Sequence, residues 1–179
     1  MNYPNTAELT IIGGCRGVGK TTLAKKYCEQ TGTTYKHSGD WFVKYLSTID
    51  SKIIEGIAVH DILSAQRPTL VDIHYATYVK PLRWINGLLD DSLKIIGEHY
   101  QNITLYLVEV DPETLYQRRI ADIHKKKRKL DKTIITEELH KNQVAFEHYI
   151  KTLAPHTRIT ARRIVNNNLE ESLGKMVKF

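Results

Sequence analysis

Cysteine is scarce in this chain, with Cys15 and Cys28 as the only two among 179 residues. Two thiols do not make a disulfide framework and their spacing matches no metal-ligand pattern, so we expect a reducing, cytoplasmic setting. His140 and His148 are too far apart to share a metal on one helix. We therefore expect no structural zinc.

Long apolar runs are also missing, and none approaches the roughly 20 residues that a transmembrane helix needs. The first residues, MNYPNTAEL, lack the basic and apolar regions of a secretory signal. The chain has no internal repeat, low-complexity tract or proline-rich linker, and its composition of 41% hydrophobic and 26% charged residues is that of a globular protein. We expect a single domain over residues 1–179 with no membrane partner.

The net charge of +6 leaves two interpretations open. One is a solvated basic surface together with a pocket for anionic phosphates. The other is nucleic-acid binding, because Lys and Arg neutralise backbone phosphates. The densest basic run, HKKKRK at 124–129, has no aromatic residue within it and is unlike a base-stacking surface. A nucleic-acid partner therefore stays open but is not favoured.

Short apolar runs alternate with longer helical patterns, which is typical of a parallel sheet with crossover helices. The predicted strands are Leu9–Ile12, Thr34–His37, Thr69–Ile73, Ile103–Val108 and Arg158–Val165. The predicted helices are Lys20–Gln30, Asp40–Leu46, Ser51–Ala65, Asn86–His99, Pro112–Ile123, Thr136–Leu153 and Leu169–Val177. Two of them have marked starts, at Asp111-Pro112 and at Thr136. The pattern predicts an α/β domain with five strands.

One motif is complete: GCRGVGKT, from Gly14 to Thr21, fits the Walker A pattern G-x-x-x-x-G-K-[ST]. Glycines let the backbone turn its N–H groups toward phosphate oxygens, and the helix that follows adds the positive end of its dipole. An apolar strand before the motif and an amphipathic helix after it support this interpretation. The predicted nucleotide-binding residues of this loop are Gly14, Cys15, Arg16, Gly17, Val18, Gly19, Lys20, Thr21 and Thr22.

Within the loop, Lys20 is expected to reach the β- and γ-phosphates and Thr21 to ligate Mg²⁺. The segment TLVDIHY places Asp72 and His74 near the end of a central strand, on the same side because residues two apart share a face. Ligands of α/β sheets bind at the carboxyl ends of strands. Asp72 is therefore a candidate to hold Mg²⁺ through water, or to accept a proton from the attacking group.

A phosphate loop by itself does not choose between kinases, GTPases and motor ATPases. The N/T-K-x-D segment by which GTPases read guanine is absent from this sequence. Large ATPases need a longer chain. Small-molecule kinases are the favoured class.

The segment ITLYLVEVDPETLYQRR at 103–119 makes the chain resemble nucleoside monophosphate kinases, above all the archaeal type of adenylate kinase. Asp72-Ile-His74, the loop VKPLRWINGLL and the late strand ARRIVNNN extend the resemblance over most of the chain. It implies a three-layer P-loop NTPase fold, with helices on both faces of a five-stranded parallel sheet. It also implies that Arg119 stacks on adenine and that Asn166 borders the base.

The resemblance further implies a small lid at about 124–134, in which Arg128 closes over the γ-phosphate and Lys125 and Lys127 are possible substitutes. It places the acceptor-binding segment at about 38–67. In that segment, Asp40 is expected to be a helix N-cap that faces the acceptor, and Arg67 is the only arginine.

His74 and Arg83 are further acceptor candidates, and Arg16 and Arg83 are candidates to supply positive charge to the acceptor. In the family this segment is longer and carries arginines that clamp the monophosphate, so the acceptor here stays open. Lys20, Asp72, Arg119 and Arg128 are the predicted catalytic residues.

The sequence therefore predicts transfer of a phosphoryl group from ATP, with Mg²⁺, to a small acceptor, first of all a nucleoside monophosphate. Two alternatives remain open. One is a kinase for another small metabolite, such as an alcohol or a sugar acid, which the arginine-poor acceptor segment favours. The other is a nucleotide-dependent ATPase that binds RNA or a protein.

Overall fold

The computed structural model describes residues 8–45, 51–79, 83–122 and 130–177, with the backbone alone at 42–45, 51–52, 79 and 83. These ranges contain seven strands and seven helices. The strands are β1 Leu9–Gly13, β2 Thr34–His37, β3 Thr69–Asp72, β4 Ala76–Val79, β5 Arg83–Asn86, β6 Asn102–Glu109 and β7 Arg158–Val165. The helices are α1 Lys20–Thr31, α2 Ser38–Tyr45, α3 Ser51–Leu63, α4 Asp90–His99, α5 Pro112–Ala121, α6 Lys132–Leu153 and α7 Leu169–Val177. Their order along the chain is β1-α1-β2-α2-α3-β3-β4-β5-α4-β6-α5-α6-β7-α7.

Five of the strands form one parallel sheet in the order β2-β3-β1-β6-β7. All five residues of β1 are buried, because this strand lies at the centre with a neighbour on each side. Parallel sheets are covered on both faces, which is why the inner strands β1, β3 and β6 are mostly buried and rich in apolar residues. The predicted five-stranded α/β sheet is confirmed.

Two hydrophobic cores cover the two faces of this sheet. Neighbouring residues of β1 point into different cores, with Ile11 in one and Ile12 in the other, as the period of two requires. Helices α3, α4 and most of α6 close the first core, and α1, α5 and α7 close the second. None of the helices in the described part of the chain is long and apolar enough to cross a membrane.

Helix α5 begins as predicted. The Asp111 side chain accepts a hydrogen bond from the Thr114 N–H at 2.9 Å, and Pro112 occupies the first helical turn. The predicted start of α6 at Thr136 is wrong. The helix begins at Lys132 because Asp131 accepts hydrogen bonds from two backbone N–H groups and caps it earlier.

Strands β4 and β5 form an antiparallel hairpin that was not predicted. The sequence predicts a loop here and a helix that begins at Asn86, whereas α4 begins at Asp90. In the hairpin, the rings of Tyr78 and Trp84 pack edge to face with 5.5 Å between centroids. Trp84 Nε1 also donates to Glu137 on α6 at 2.8 Å, so the hairpin is fastened to that helix.

Helix α2 likewise begins earlier than predicted, at Ser38. Asp40 therefore lies inside the first turn of the helix instead of at its N-cap. An acidic side chain in the first turn still interacts favourably with the helix dipole.

Asn142 on α6 joins the helix to the hairpin. Its side chain is buried, accepts from the Ala76 N–H at 3.2 Å and donates to the Ala76 carbonyl at 3.3 Å. Replacing Asn142 by Ala leaves the buried Ala76 groups without these partners. We expect the free energy of unfolding to fall by about 1–3 kcal/mol, measured by urea denaturation.

The control is His140→Ala, an exposed position on the same helix, which should change the unfolding free energy very little. Equal stability of the Asn142→Ala and His140→Ala variants would contradict the role given to the Asn142 side chain.

Candidate phosphate-binding site

The loop between β1 and α1 needs glycine at two positions where its backbone lies close to other atoms. Gly14 and Gly19 have φ angles of 142° and 92°. A Cβ atom on Gly14 would lie 2.3 Å from the Val108 carbonyl oxygen, and one on Gly19 would lie 2.5 Å from Asn166 Nδ2. Both spacings are far inside van der Waals contact. The glycines of the motif are therefore set by geometry as well as by its pattern.

Four carbonyl groups of this loop bond to side chains that surround it. The contacts are Gly14 O with His74 Nδ1 at 2.9 Å, Cys15 O with Lys20 Nζ at 3.2 Å, Arg16 O with Arg119 Nη2 at 2.8 Å, and Val18 O with Asn166 Nδ2 at 2.8 Å. The C=O and N–H of a trans peptide point in opposite directions. Because these carbonyls bond to groups around the loop, the N–H groups of the same peptides point away from those groups. Successive N–H groups that point to one side form an anion-binding nest.

Helix α1 adds positive potential at the same place. It begins at Lys20 directly after Gly19, and its first turn carries no acidic side chain that would cancel the dipole. Lys20 is only 6% exposed, and its Nζ lies beside the loop, 3.3 Å from His74 Nδ1. A buried cation, a helix N-terminus and a ring of backbone donors suit a polyphosphate.

Cys15 belongs to the loop through its backbone. Its thiol is buried, and burial raises its pKa to about 11, although Lys20 acts in the opposite direction. The thiol is therefore neutral at physiological pH and is a packing group of the loop, not a nucleophile.

Asp72 is buried at the end of β3, only 1% exposed, and faces the start of α1. Its Oδ2 accepts from Thr21 Oγ1 at 2.7 Å and from the Tyr35 hydroxyl at 3.0 Å. A carboxylate and a hydroxyl at this spacing are the oxygen ligands that Mg²⁺ takes beside a nucleotide, so Thr21 and Asp72 fit the predicted metal role. No sequence motif pointed to Tyr35. Tyr35 lies on β2, next to β3 in the sheet and two residues before His37, the register partner of Asp72, so its role depends on a strand pairing that only the structure shows.

His74 lies two residues beyond Asp72 and contacts the loop from the side of β3. Nδ1 lies 2.9 Å from the Gly14 carbonyl and 3.3 Å from Lys20 Nζ. The shorter contact is a hydrogen bond when Nδ1 carries the proton, and in that tautomer the lone pair is on Nε2. Burial lowers the pKa of His74 well below its ordinary value of 6.5, and the charge of Lys20 lowers it further. The imidazole is neutral at physiological pH.

The two arginines of α5 occupy different surroundings. Arg119 is only 1% exposed, donates to Arg16 O through Nε and Nη2, and forms an ion pair with Glu138 of α6. Arg118 is half-buried and donates to Val18 O at 3.1 Å and to Asn166 O at 2.7 Å. Stacking on a base needs an open guanidinium face, which the buried Arg119 lacks in this structure. The arginine beside Asn166 is Arg118, which the sequence reasoning passed over.

The remaining predicted residues lie in three places. Thr22 is exposed on α1, and the exposed Asp40 carboxylate lies 3.5 Å from His37 Nδ1 at the end of β2. Arg67 precedes β3, whose first residue pairs with Leu9, so it lies at the edge of the sheet opposite the loop. The structure does not bring it to this site. The Arg83 side chain lies outside the described residues, as do Arg128 and most of the predicted lid.

Comparison with known proteins supports the fold and leaves the family unassigned. No family model matches the sequence, and no curated protein does. A sugar kinase from Janibacter sp. HTCC2649 superposes with a TM-score of 0.54 and 12% identity over 97% of this chain and 93% of its own. A shikimate kinase from Acinetobacter baumannii, in complex with shikimate, gives the same values.

A chain of the Pnkp1/Rnl/Hen1 RNA repair complex superposes with a TM-score of 0.59 and 15% identity, over 82% of this chain and 47% of that one. Identities this low establish the fold alone: this chain shares its α/β fold with the sugar kinase and the shikimate kinase.

The lowered pKa of His74 predicts how stability depends on pH. Between that pKa and 6.5 the unfolded chain binds a proton at this position that the folded state does not. Stability therefore falls as the pH is lowered through this window, with a contribution of at most about 1.4 kcal/mol per pH unit. In urea titrations from pH 7.5 to 5, His74→Asn should lose less stability on acidification than the wild type.

The Asn side chain in this variant keeps an N–H donor near the Gly14 carbonyl, and His140→Asn is the exposed control. If wild type and His74→Asn lose stability in parallel, His74 is not a buried neutral imidazole.

Proposed function

We propose that this protein is an ATP-dependent phosphotransferase that moves the γ-phosphoryl group to a small acceptor, with a nucleoside monophosphate as the first acceptor class. The observation that carries the proposal is the meeting of the anchored glycine loop, the buried Lys20 and the Thr21–Asp72 pair at one edge of the sheet. The fold likeness to a sugar kinase and a shikimate kinase agrees with it.

In this proposal the loop N–H groups and Lys20 hold the β- and γ-phosphates in a fixed orientation. Thr21 and Asp72 hold Mg²⁺, which when bound neutralises charge on the phosphate oxygens. Phosphoryl transfer needs little covalent chemistry from the protein, so positioning and charge stabilisation provide most of the catalysis. Those are the two things that a rigid, donor-lined loop provides.

Arg118 and Asn166 are the residues proposed to border the base. They bond to each other and to Val18, so they form one surface next to the loop. A planar guanidinium stacks well on an aromatic base. This arrangement keeps the role that the resemblance implied for Asn166 and gives the arginine role to Arg118.

The acceptor is proposed to approach from the ends of β2 and β3, where His74 and Asp72 lie. A neutral His74 with a free lone pair on Nε2 can accept a hydrogen bond from a hydroxyl group of the acceptor. The resemblance to nucleoside monophosphate kinases supports a phosphate-bearing acceptor. Arg67, the arginine of the acceptor segment, lies at the opposite edge of the sheet and does not reach an acceptor phosphate at this site. This favours a second class of acceptors without a phosphate, sugars and hydroxy acids, which the sugar kinase and the shikimate kinase of similar fold also suggest.

The acceptor class is decided by coupled detection of ADP from MgATP with nucleoside and deoxynucleoside monophosphates, and then with sugars and hydroxy acids. We expect one acceptor to raise ADP formation well above the acceptor-free rate. A response to monophosphates supports the first class, and a response to hydroxyl compounds supports the second. ATP hydrolysis that only RNA or a protein stimulates would contradict both.

The loop lysine gives a direct test of the catalytic site. Lys20→Ala removes the buried ammonium group beside the loop, so turnover should fall by about 100-fold or more while thermal melting still shows a folded protein. The matched control is Lys26→Ala on the same helix, whose exposed side chain pairs with Glu170 at 2.7 Å. Turnover retained in Lys20→Ala would refute the role of Lys20.

A further inference from the structure

A buried ion pair lies beneath the phosphate loop. Arg119 comes from α5 and Glu138 from α6, with side chains 1% and 17% exposed. Glu138 belongs to no sequence motif. Burying a guanidinium group is costly unless its charge is paired and its N–H groups are bonded. Here Glu138 supplies the charge, and a loop carbonyl accepts donors of the same guanidinium.

That carbonyl belongs to Arg16, in the middle of the loop. It accepts from Arg119 Nε at 3.3 Å and from Nη2 at 2.8 Å. The next residue, Gly17, has a φ of 97°, so the chain turns sharply at this peptide. Because the C=O and N–H of one trans peptide are opposed, fixing the Arg16 carbonyl on Arg119 directs the Gly17 N–H to the opposite side.

Glu138 contacts the loop through Arg119. It belongs to a helix of 22 residues that is tied to the hairpin by Asn142, which donates to the Glu138 carbonyl at 2.9 Å and to the Ala76 carbonyl at 3.3 Å. The carboxylate is therefore held by a rigid element. A fixed carboxylate limits the orientations available to the guanidinium, which in turn limits those of the Arg16–Gly17 peptide.

We propose that Glu138 and Arg119 are positioning residues that orient the Arg16–Gly17 peptide, so that the Gly17 N–H is presented to the phosphates before a nucleotide binds. This rests on the nucleotide site proposed above. It gives Arg119 a task beneath the loop in place of contact with adenine, and it assigns a function to Glu138.

The test separates positioning from simple support of the fold. Replacing a buried ion pair by apolar side chains of similar volume often preserves stability, so Arg119→Met/Glu138→Leu should stay folded. It should nevertheless bind a non-hydrolysable ATP analogue and inorganic tripolyphosphate at least about tenfold more weakly, because the Arg16 carbonyl has lost its charged donor. Affinity is measured by calorimetry and folding by thermal melting of the ligand-free protein.

Two single variants complete the experiment. Glu138→Gln keeps the shape but removes the charge and should also weaken tripolyphosphate binding. Glu137→Gln, at the neighbouring position that accepts from Trp84, should leave binding unchanged.

If wild type binds tripolyphosphate and the folded double variant binds it equally well, the positioning role is overturned and the nucleotide site stands. If the double variant unfolds, Glu138→Gln decides: unchanged affinity overturns the role. If wild type binds neither ligand, the proposed function fails and the inference fails with it.

Discussion

The direction of the carbonyl groups in the glycine loop is the constraint on which the site depends. An anion-binding loop needs several N–H groups turned inward, and each one requires that the carbonyl of the same peptide be satisfied outside. Here β3 supplies His74 as the outer partner, α5 supplies Arg118 and Arg119, and the end of β7 leads to Asn166. Glycine makes the loop geometry accessible, and these side chains select one arrangement of it.

The sheet order explains how distant parts of the sequence reach one loop. Strand β1 lies between β3 and β6, and β7 lies on the far side of β6. Since all five strands are parallel, the segments that follow β3, β6 and β7 emerge at the same edge as the loop. His74, Arg118 and Asn166 are separated widely in the chain. His74 and Asn166 come within two residues of the ends of β3 and β7, and Arg118 lies on α5, the helix that follows β6. The order of the strands thus places donor side chains from distant parts of the sequence around the loop.

The sequence predicted those parts of the fold and the site that a complete motif or an apolar run of strand length marks. The loop, the five strands and Asp72 follow from a complete motif and from apolar runs of the right length. The hairpin was missed because four-residue strands show too little alternation to distinguish them from a loop. Adjacent residues of a helix point about 100° apart, so only one of Arg118 and Arg119 can lie at the centre of the packed face of α5. Which one it is depends on tertiary contacts, and the sequence does not show them. The role of Glu138 could not be predicted for the same reason, because its partner Arg119 lies on another helix.

Burial is the main reason why the pKa of His74 is lowered and its imidazole neutral, and the charges at the loop act in the same direction. Lys20 and Arg119 bring two buried cations close to the loop. Of the two nearby carboxylates, Asp72 accepts from Thr21 at the start of α1, and Glu138 is paired with Arg119. A third cation at His74, 3.3 Å from the Lys20 ammonium, would add repulsion in a site with little solvent. The lowered pKa of His74 removes that charge and keeps a donor on the Gly14 carbonyl. In the proposed function, this leaves the positive charge of Lys20 for the phosphates, with no charged imidazole beside it.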